Sequence, residues 1–77
     1  MAKDVLVYTK PGCGQCRMLR MWLNAKGIEF KETDILENEQ SYNKIKEAGR
    51  MSLPVLEINN EFVDYQEYND ILEYINE

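Results

Sequence analysis

An α/β fold in the order βαβαββα, its mixed four-stranded sheet flanked by three helices, is what this sequence predicts, and three observations carry the prediction. A short β-branched run at Val5–Tyr8 leads through turn residues into apolar residues at helical spacing, an Asn59-Asn60 pair separates two short apolar runs, and the chain closes on an amphipathic stretch. The length of 77 residues leaves room for one small domain over 1–77, near the lower size at which a single core suffices. With 44% hydrophobic and 30% charged residues the composition is that of an ordinary globular chain and argues against disorder.

Each element has its own signal. Val5 to Tyr8 reads as a buried strand stopped by Lys10-Pro11-Gly12. Gln15 to Lys26 reads as a helix, because Met18, Leu19, Trp22, Leu23 and Lys26 share one face and Gly27 suits the left-handed residue after the last turn. Ile28 to Thr33 alternates as a second strand, and a strand, helix and strand in succession imply a right-handed crossover with parallel strands. A polar helix from about Glu37 to Ala48 follows, with Tyr42, Ile45 and Ala48 on its inner side and Gly49 to end it. Val55–Ile58 and Glu61–Asp64 flank Asn59-Asn60 as an antiparallel hairpin. Asp64 and Glu67 stand at capping-box spacing before Tyr68, Ile71, Leu72 and Ile75, which mark the last helix.

The chain's two cysteines, Cys13 and Cys16, lie at the first strand-to-helix junction. Sulfurs at i and i+3 share the first helical turn, where unpaired N–H groups and the positive end of the helix dipole favour a thiolate on the first of them. A thiolate at Cys13 attacks a disulfide and Cys16 closes the ring, so the pair reads as redox-active. Two rival readings use the same atoms. A structural zinc site wants four ligands, and two Cys without any His leave it short. A structural disulfide across so short a loop restrains the unfolded chain very little.

Charge narrows the partners. Fourteen acidic against nine basic residues give a net charge of −5, which disfavours nucleic acid. Lys10, Arg17 and Arg20 make the neighbourhood of the cysteines less acidic than the rest, and Lys10 and Arg17 are candidates for stabilising the Cys13 thiolate. No basic leader with a long apolar stretch precedes Val5, and no run approaches the ~20 apolar residues of a membrane span, so a cytoplasmic, non-membrane protein is expected. In a reducing compartment paired cysteines are more often catalytic or metal-binding than structural.

The order of elements, the C-x-x-C junction and a Leu-Pro before the third strand together resemble the glutaredoxin branch of the thioredoxin-like fold, over nearly the whole chain. Tyr8-Thr9-Lys10-Pro11-Gly12-Cys13 resembles that family's approach to its nucleophile, Lys26-Gly27-Ile28 its helix-to-strand turn, and Ser52-Leu53-Pro54-Val55 its Thr-Val-Pro position. The resemblance implies a cis Pro54 that presents the Leu53 backbone to substrate. It also implies a substrate groove built from Tyr8, Lys10, Gly12, Gly14, Gln15, Leu53, Pro54, Asp64 and Tyr65.

Departures from the family pattern place the chain between two subfamilies. Glutathione-using glutaredoxins typically carry Pro-Tyr between the cysteines and Gly-Gly-x-Asp-Asp after the fourth strand. Here the corresponding residues are Gly14-Gln15 and Asp64-Tyr65-Gln66-Glu67-Tyr68. A carboxylate and a phenol in place of two glycines obstruct the approach of glutathione's γ-glutamyl end and repel its carboxylate. Gln15 before the second cysteine is similar to the redoxins that serve ribonucleotide reductase and are reduced by thioredoxin reductase, although their Trp-Ser-Gly-Phe-Arg-Pro segment is absent.

The resemblance therefore implies a monomeric thiol–disulfide oxidoreductase acting on protein or small-molecule disulfides, without a tightly bound cofactor. Thioredoxin reductase or glutathione is implied as reductant, and ribonucleotide reductase as one acceptor. Gly14 also resembles glutaredoxins that bridge an iron–sulfur cluster through the first cysteine of each subunit. An adaptor whose thiols are incidental is the third reading.

Overall fold

The fold is organised around strand β1 (Val5–Thr9), which pairs on both sides. In the computed structural model, which describes residues 4–76, β2 (Lys31–Asp34) runs parallel to β1 on one side. On the other, β3 (Val55–Ile58) runs antiparallel and carries β4 (Glu61–Val63) as the outer strand, for the order β2-β1-β3-β4. The hairpin turn at Asn59 and Asn60 has φ of 51° and 68°, the left-handed pair that matches strand twist. The mixed four-stranded sheet and three helices agree with the order read from sequence.

Both faces of the sheet are covered, because strand side chains alternate. Val5 and Val7 of β1 and Leu56 and Ile58 of β3 pack with Leu19 and Leu23 of α1 (Gly14–Ala25) and Ile71 of α3 (Tyr68–Ile75). The opposite face brings Tyr8, Ile35 and Val55 against Ile45 of α2 (Glu39–Glu47). Met18, expected on the inner stripe of α1, is 56% exposed; Cys16 takes the inward position instead.

Local chemistry fixes the helix ends. Asn38 caps α2 by accepting from the Ser41 N–H at 3.1 Å. Gly27 and Gly49, at φ of +70° and +73°, close α1 and α2 with paired 6→1 and 5→2 bonds: Ile28 N–H to Leu23 and Gly27 N–H to Asn24, then Arg50 N–H to Ile45 and Gly49 N–H to Lys46. The start of α3 corrects the expected cap at Asp64. There Asp70 accepts from the Glu67 and Gln66 N–H groups, so the N-cap is Glu67, three residues after Asp64, and Asp64 is released for another partner.

β2 corrects a second expectation, starting at Lys31 rather than Ile28. Ile28 and Phe30 leave α1 as a connecting segment packed on the core, and their alternation reflects that packing; ladder pairing begins only where Leu6 of β1 meets Lys31.

One charged residue in the sheet was not anticipated. Glu57 of β3 is 4% exposed and faces α2, where its carboxylate accepts from the Tyr8 hydroxyl at 3.2 Å and meets Lys44 Nζ at 2.7 Å. The Glu57 hydrogen bond holds Lys44 above its ordinary 10.5, and burial, then Glu57, push the Tyr8 phenol above 10.0. Both groups bind their protons more tightly in the folded chain, so this stabilisation is complete below 10.0 and is lost as pH climbs through the folded values. Lys44→Met leaves a buried carboxylate with the phenol alone, at a cost of about 2 kcal/mol, or roughly 8–16 °C in Tm for a domain this small. Thermal melts at neutral pH are expected to show that drop; a variant that melts with the parent would overturn the assignment.

Candidate active site

The site begins where β1 stops. Lys10–Cys13 forms a turn closed by Cys13 N–H to the Lys10 carbonyl at 3.4 Å, with Gly12 at φ +78°, and delivers Cys13 to the N-cap of α1. Its Sγ accepts from the Cys16 N–H at 3.1 Å, and its carbonyl from the Arg17 N–H at 3.2 Å. Cys13 and Cys16 are joined as a disulfide, their Cα atoms 5.3 Å apart. Cys16 is 3% exposed, whereas Cys13 is part-exposed. Attack on or by a disulfide requires access to sulfur, and of the two residues only Cys13 is open to another molecule.

One groove is lined by this turn and a second by Gln15 just beyond it. The first, of about 430 Å³, holds Cys13 with Gly12, Gly14, Lys10, Arg17 and Arg20, and also Glu32 and Asp34. Glu32 takes up the Arg20 guanidinium with both oxygens, at 2.9 and 3.0 Å. Lys10 and Arg17, the expected thiolate-stabilising cations, are exposed in the same groove as Cys13 and form no ion pair among the described residues.

The second groove, of about 370 Å³, is lined by Gln15, Arg50, Met51, Leu53, Pro54, Asp64 and Tyr65 among others. The Leu53–Pro54 peptide is cis, as the resemblance implied. Asp64 makes a two-pronged ion pair with Arg50 across this groove, and the Arg50 hydrogen bond holds its carboxyl below the ordinary carboxylate range. Tyr65 is half-buried, its phenol pushed up by burial and then by Tyr68; its ring lies 6.1 Å from that of Tyr68, which lies 5.4 Å from Trp22.

Of the expected groove residues, Lys10, Gly12 and Gly14 line the first groove and Gln15, Leu53, Pro54, Asp64 and Tyr65 the second. Tyr8 is the exception. It is 1% exposed, its ring packs on Phe62 and its hydroxyl is spent on Glu57, because alternation along β1 turns it toward α2. Arg50 was not singled out in the sequence. The signal lay in Gly49, whose left-handed turn fixes the next residue beside the end of β4.

A thioredoxin-like sheet with a C-x-x-C pair at its first helix defines a dithiol redox domain. A family model described as Glutaredoxin matches residues 5–63, and the chain belongs to the glutaredoxin family. The glutaredoxin-like protein NrdH of Lactococcus lactis subsp. cremoris is 38% identical over 52 residues, covering 68% of this chain and 72% of that protein. The global transcriptional regulator Spx of Listeria innocua is 42% identical over 48 residues, covering 62% of this chain and 37% of that protein. The solution structure of a glutaredoxin from Brucella melitensis superposes with a TM-score of 0.67 at 32% identity, covering 92% of this chain and 78% of that one. The matched stretch is 37% to 72% of the length of the first curated relatives.

No helix among the described residues is long and apolar enough to cross a membrane, and no group of three or more His, Cys, Asp or Glu among them is arranged to hold a metal ion.

The difference in exposure between the two sulfurs has a direct readout. In the reduced protein at neutral pH, iodoacetamide is expected to modify Cys13 at least about tenfold faster than Cys16, because only an accessible thiolate reacts readily. Peptide mass spectrometry after timed quenching measures the ratio, and equal modification would contradict the assignment of inner and outer thiols.

Proposed function

We propose that this protein is a dithiol electron carrier that reduces disulfides in other proteins, is recharged by thioredoxin reductase rather than glutathione, and counts ribonucleotide reductase among its acceptors. The observation that carries the reading is the part-exposed Cys13 at a helix start with Cys16 buried behind it. The likeness to a protein named NrdH supports the choice of partners. Such a carrier works as a monomer in the cytoplasm, where a reductase keeps it charged.

The cycle follows from the geometry. The Cys13 thiolate attacks one sulfur of a substrate disulfide, forming a mixed disulfide and expelling the other substrate sulfur as a thiolate, which takes up a proton. Cys16, losing its proton, then attacks Cys13 Sγ and breaks the mixed disulfide. Substrate leaves as a dithiol, two electrons richer, and the chain is left as the Cys13–Cys16 disulfide. The Cys16 N–H aimed at Cys13 Sγ favours negative charge there both at the start and when the pair is reopened. Pro54 and Leu53 line the second groove together with Gln15, the residue before Cys16, and offer backbone to an extended substrate segment. Lys10 and Arg17 favour the thiolate from the first groove.

Glutathione fits this groove less well than a protein segment does. The position where an open backbone would receive it is occupied by the Asp64 carboxylate and the Tyr65 ring. The same mismatch disfavours the iron–sulfur reading, which needs a cluster ligand held in that groove.

Insulin reduction with NADPH as electron source tests the proposal. Turnover with thioredoxin reductase is expected to exceed that with glutathione plus its reductase by at least about tenfold, Cys13→Ser to abolish it, and Cys16→Ser to trap a mixed disulfide visible by mass. Parent-level turnover by Cys13→Ser would refute the function, and partner binding unaffected by replacing both cysteines would favour the adaptor reading.

A further inference from the structure

We propose that the Arg50–Asp64 pair is a selectivity element. Asp64 occupies the single cation among the described residues lining the cis-proline groove, and thereby makes the groove discriminate against thiols that carry carboxylates, glutathione above all. This deepens the dithiol reading and rests on it.

Arg50 is the more rigidly held partner. Its backbone is fixed by the turn at Gly49, with its N–H bonded to the Ile45 carbonyl at 2.8 Å, and its guanidinium lies over the Phe62 ring at 5.1 Å. From that position both Nη atoms reach Asp64 in the groove. A guanidinium edge is a fork matched to a carboxylate, and here both prongs are engaged, Nη1 to Oδ1 and Nη2 to Oδ2 of Asp64. Asp64 approaches from the solvent side, its side chain 82% exposed while that of Arg50 is 31% exposed. An incoming carboxylate therefore has to displace Asp64 rather than add to it, and meets a like charge as it arrives.

The effect on reaction follows the attack step. A glutathione thiolate attacks Cys13 Sγ, the Cys13–Cys16 bond breaks, and Cys16 leaves as a thiolate and takes up a proton. A second glutathione thiolate attacks the glutathione sulfur of the mixed disulfide, releasing the Cys13 thiolate and oxidised glutathione, so two thiols are oxidised as one protein disulfide is reduced. Glutathione carries two carboxylates beside the groove during the first attack; a neutral thiol carries none. The pair therefore acts on the ratio of their rates. An exposed ion pair is worth little, so the expected change is modest, about fivefold.

The test uses the oxidised protein and stoichiometric reduction by glutathione, neutral 2-mercaptoethanol or cationic cysteamine, followed by alkylation and intact mass. In Asp64→Asn the glutathione to mercaptoethanol rate ratio is expected to rise about fivefold at low salt, and the cysteamine to mercaptoethanol ratio to fall. The glutathione gain should shrink in about 0.5 M salt and vanish in Asp64→Asn combined with Arg50→Gln. An unchanged ratio in Asp64→Asn overturns the proposal. So does a gain that survives loss of Arg50, since Asp64 would then act by its own charge alone. The assay reads the disulfide directly and needs no acceptor: a protein inactive on insulin still gives a ratio, and a flat ratio leaves insulin reduction standing.

Discussion

One atom ties the fold to the chemistry: Sγ of Cys13, which caps the first helix by accepting the Cys16 N–H. Everything upstream serves to place it. β1 ends at Thr9, the Lys10–Cys13 turn reverses the chain, and α1 starts with the otherwise orphan Cys16 N–H pointing at sulfur. The polar cap of most helices is a Ser, Thr, Asp or Asn oxygen. Using sulfur gives up part of that stabilisation and obtains a nucleophile whose charged form is the better cap.

The second face of the sheet carries a different compromise. Glu57 stands in a strand buried along its whole length, and a buried carboxylate needs partners. Tyr8 and Lys44 supply them, and the Phe62 ring lies against Tyr8 while Lys44 and Arg50 both rest over it. One aromatic ring thus joins the buried polar cluster under α2 to the ion pair at the edge of the cis-proline groove. Core packing and groove electrostatics share a wall.

Sequence reading reached furthest where a residue type has one physical job. The Asn59-Asn60 turn, the left-handed glycine after α1 and the C-x-x-C junction were legible because sterics or nucleophilicity leave few alternatives. It failed where tertiary partners decide. Ile28 and Phe30 alternate as a strand does, yet β1 pairs only with the residues after them. Asp64 has the spacing of a cap, yet Arg50 claims it while Asp70 supplies the carboxylate at the helix start. Tyr8 belongs to the motif around the nucleophile, but alternation about β1 sends its side chain to the opposite layer. No local pattern reports that Glu57 and Lys44 will meet, since α2 crosses the sheet from another part of the chain.

The aromatic series Tyr65, Tyr68, Trp22 runs from the wall of the cis-proline groove to the flank of α1. Its outermost ring lines that groove, and its innermost is the chain's single indole. The molecule thus carries its own optical gauge of groove occupancy: a visitor that shifts Tyr65 alters the surroundings of the indole two rings away, with no added dye.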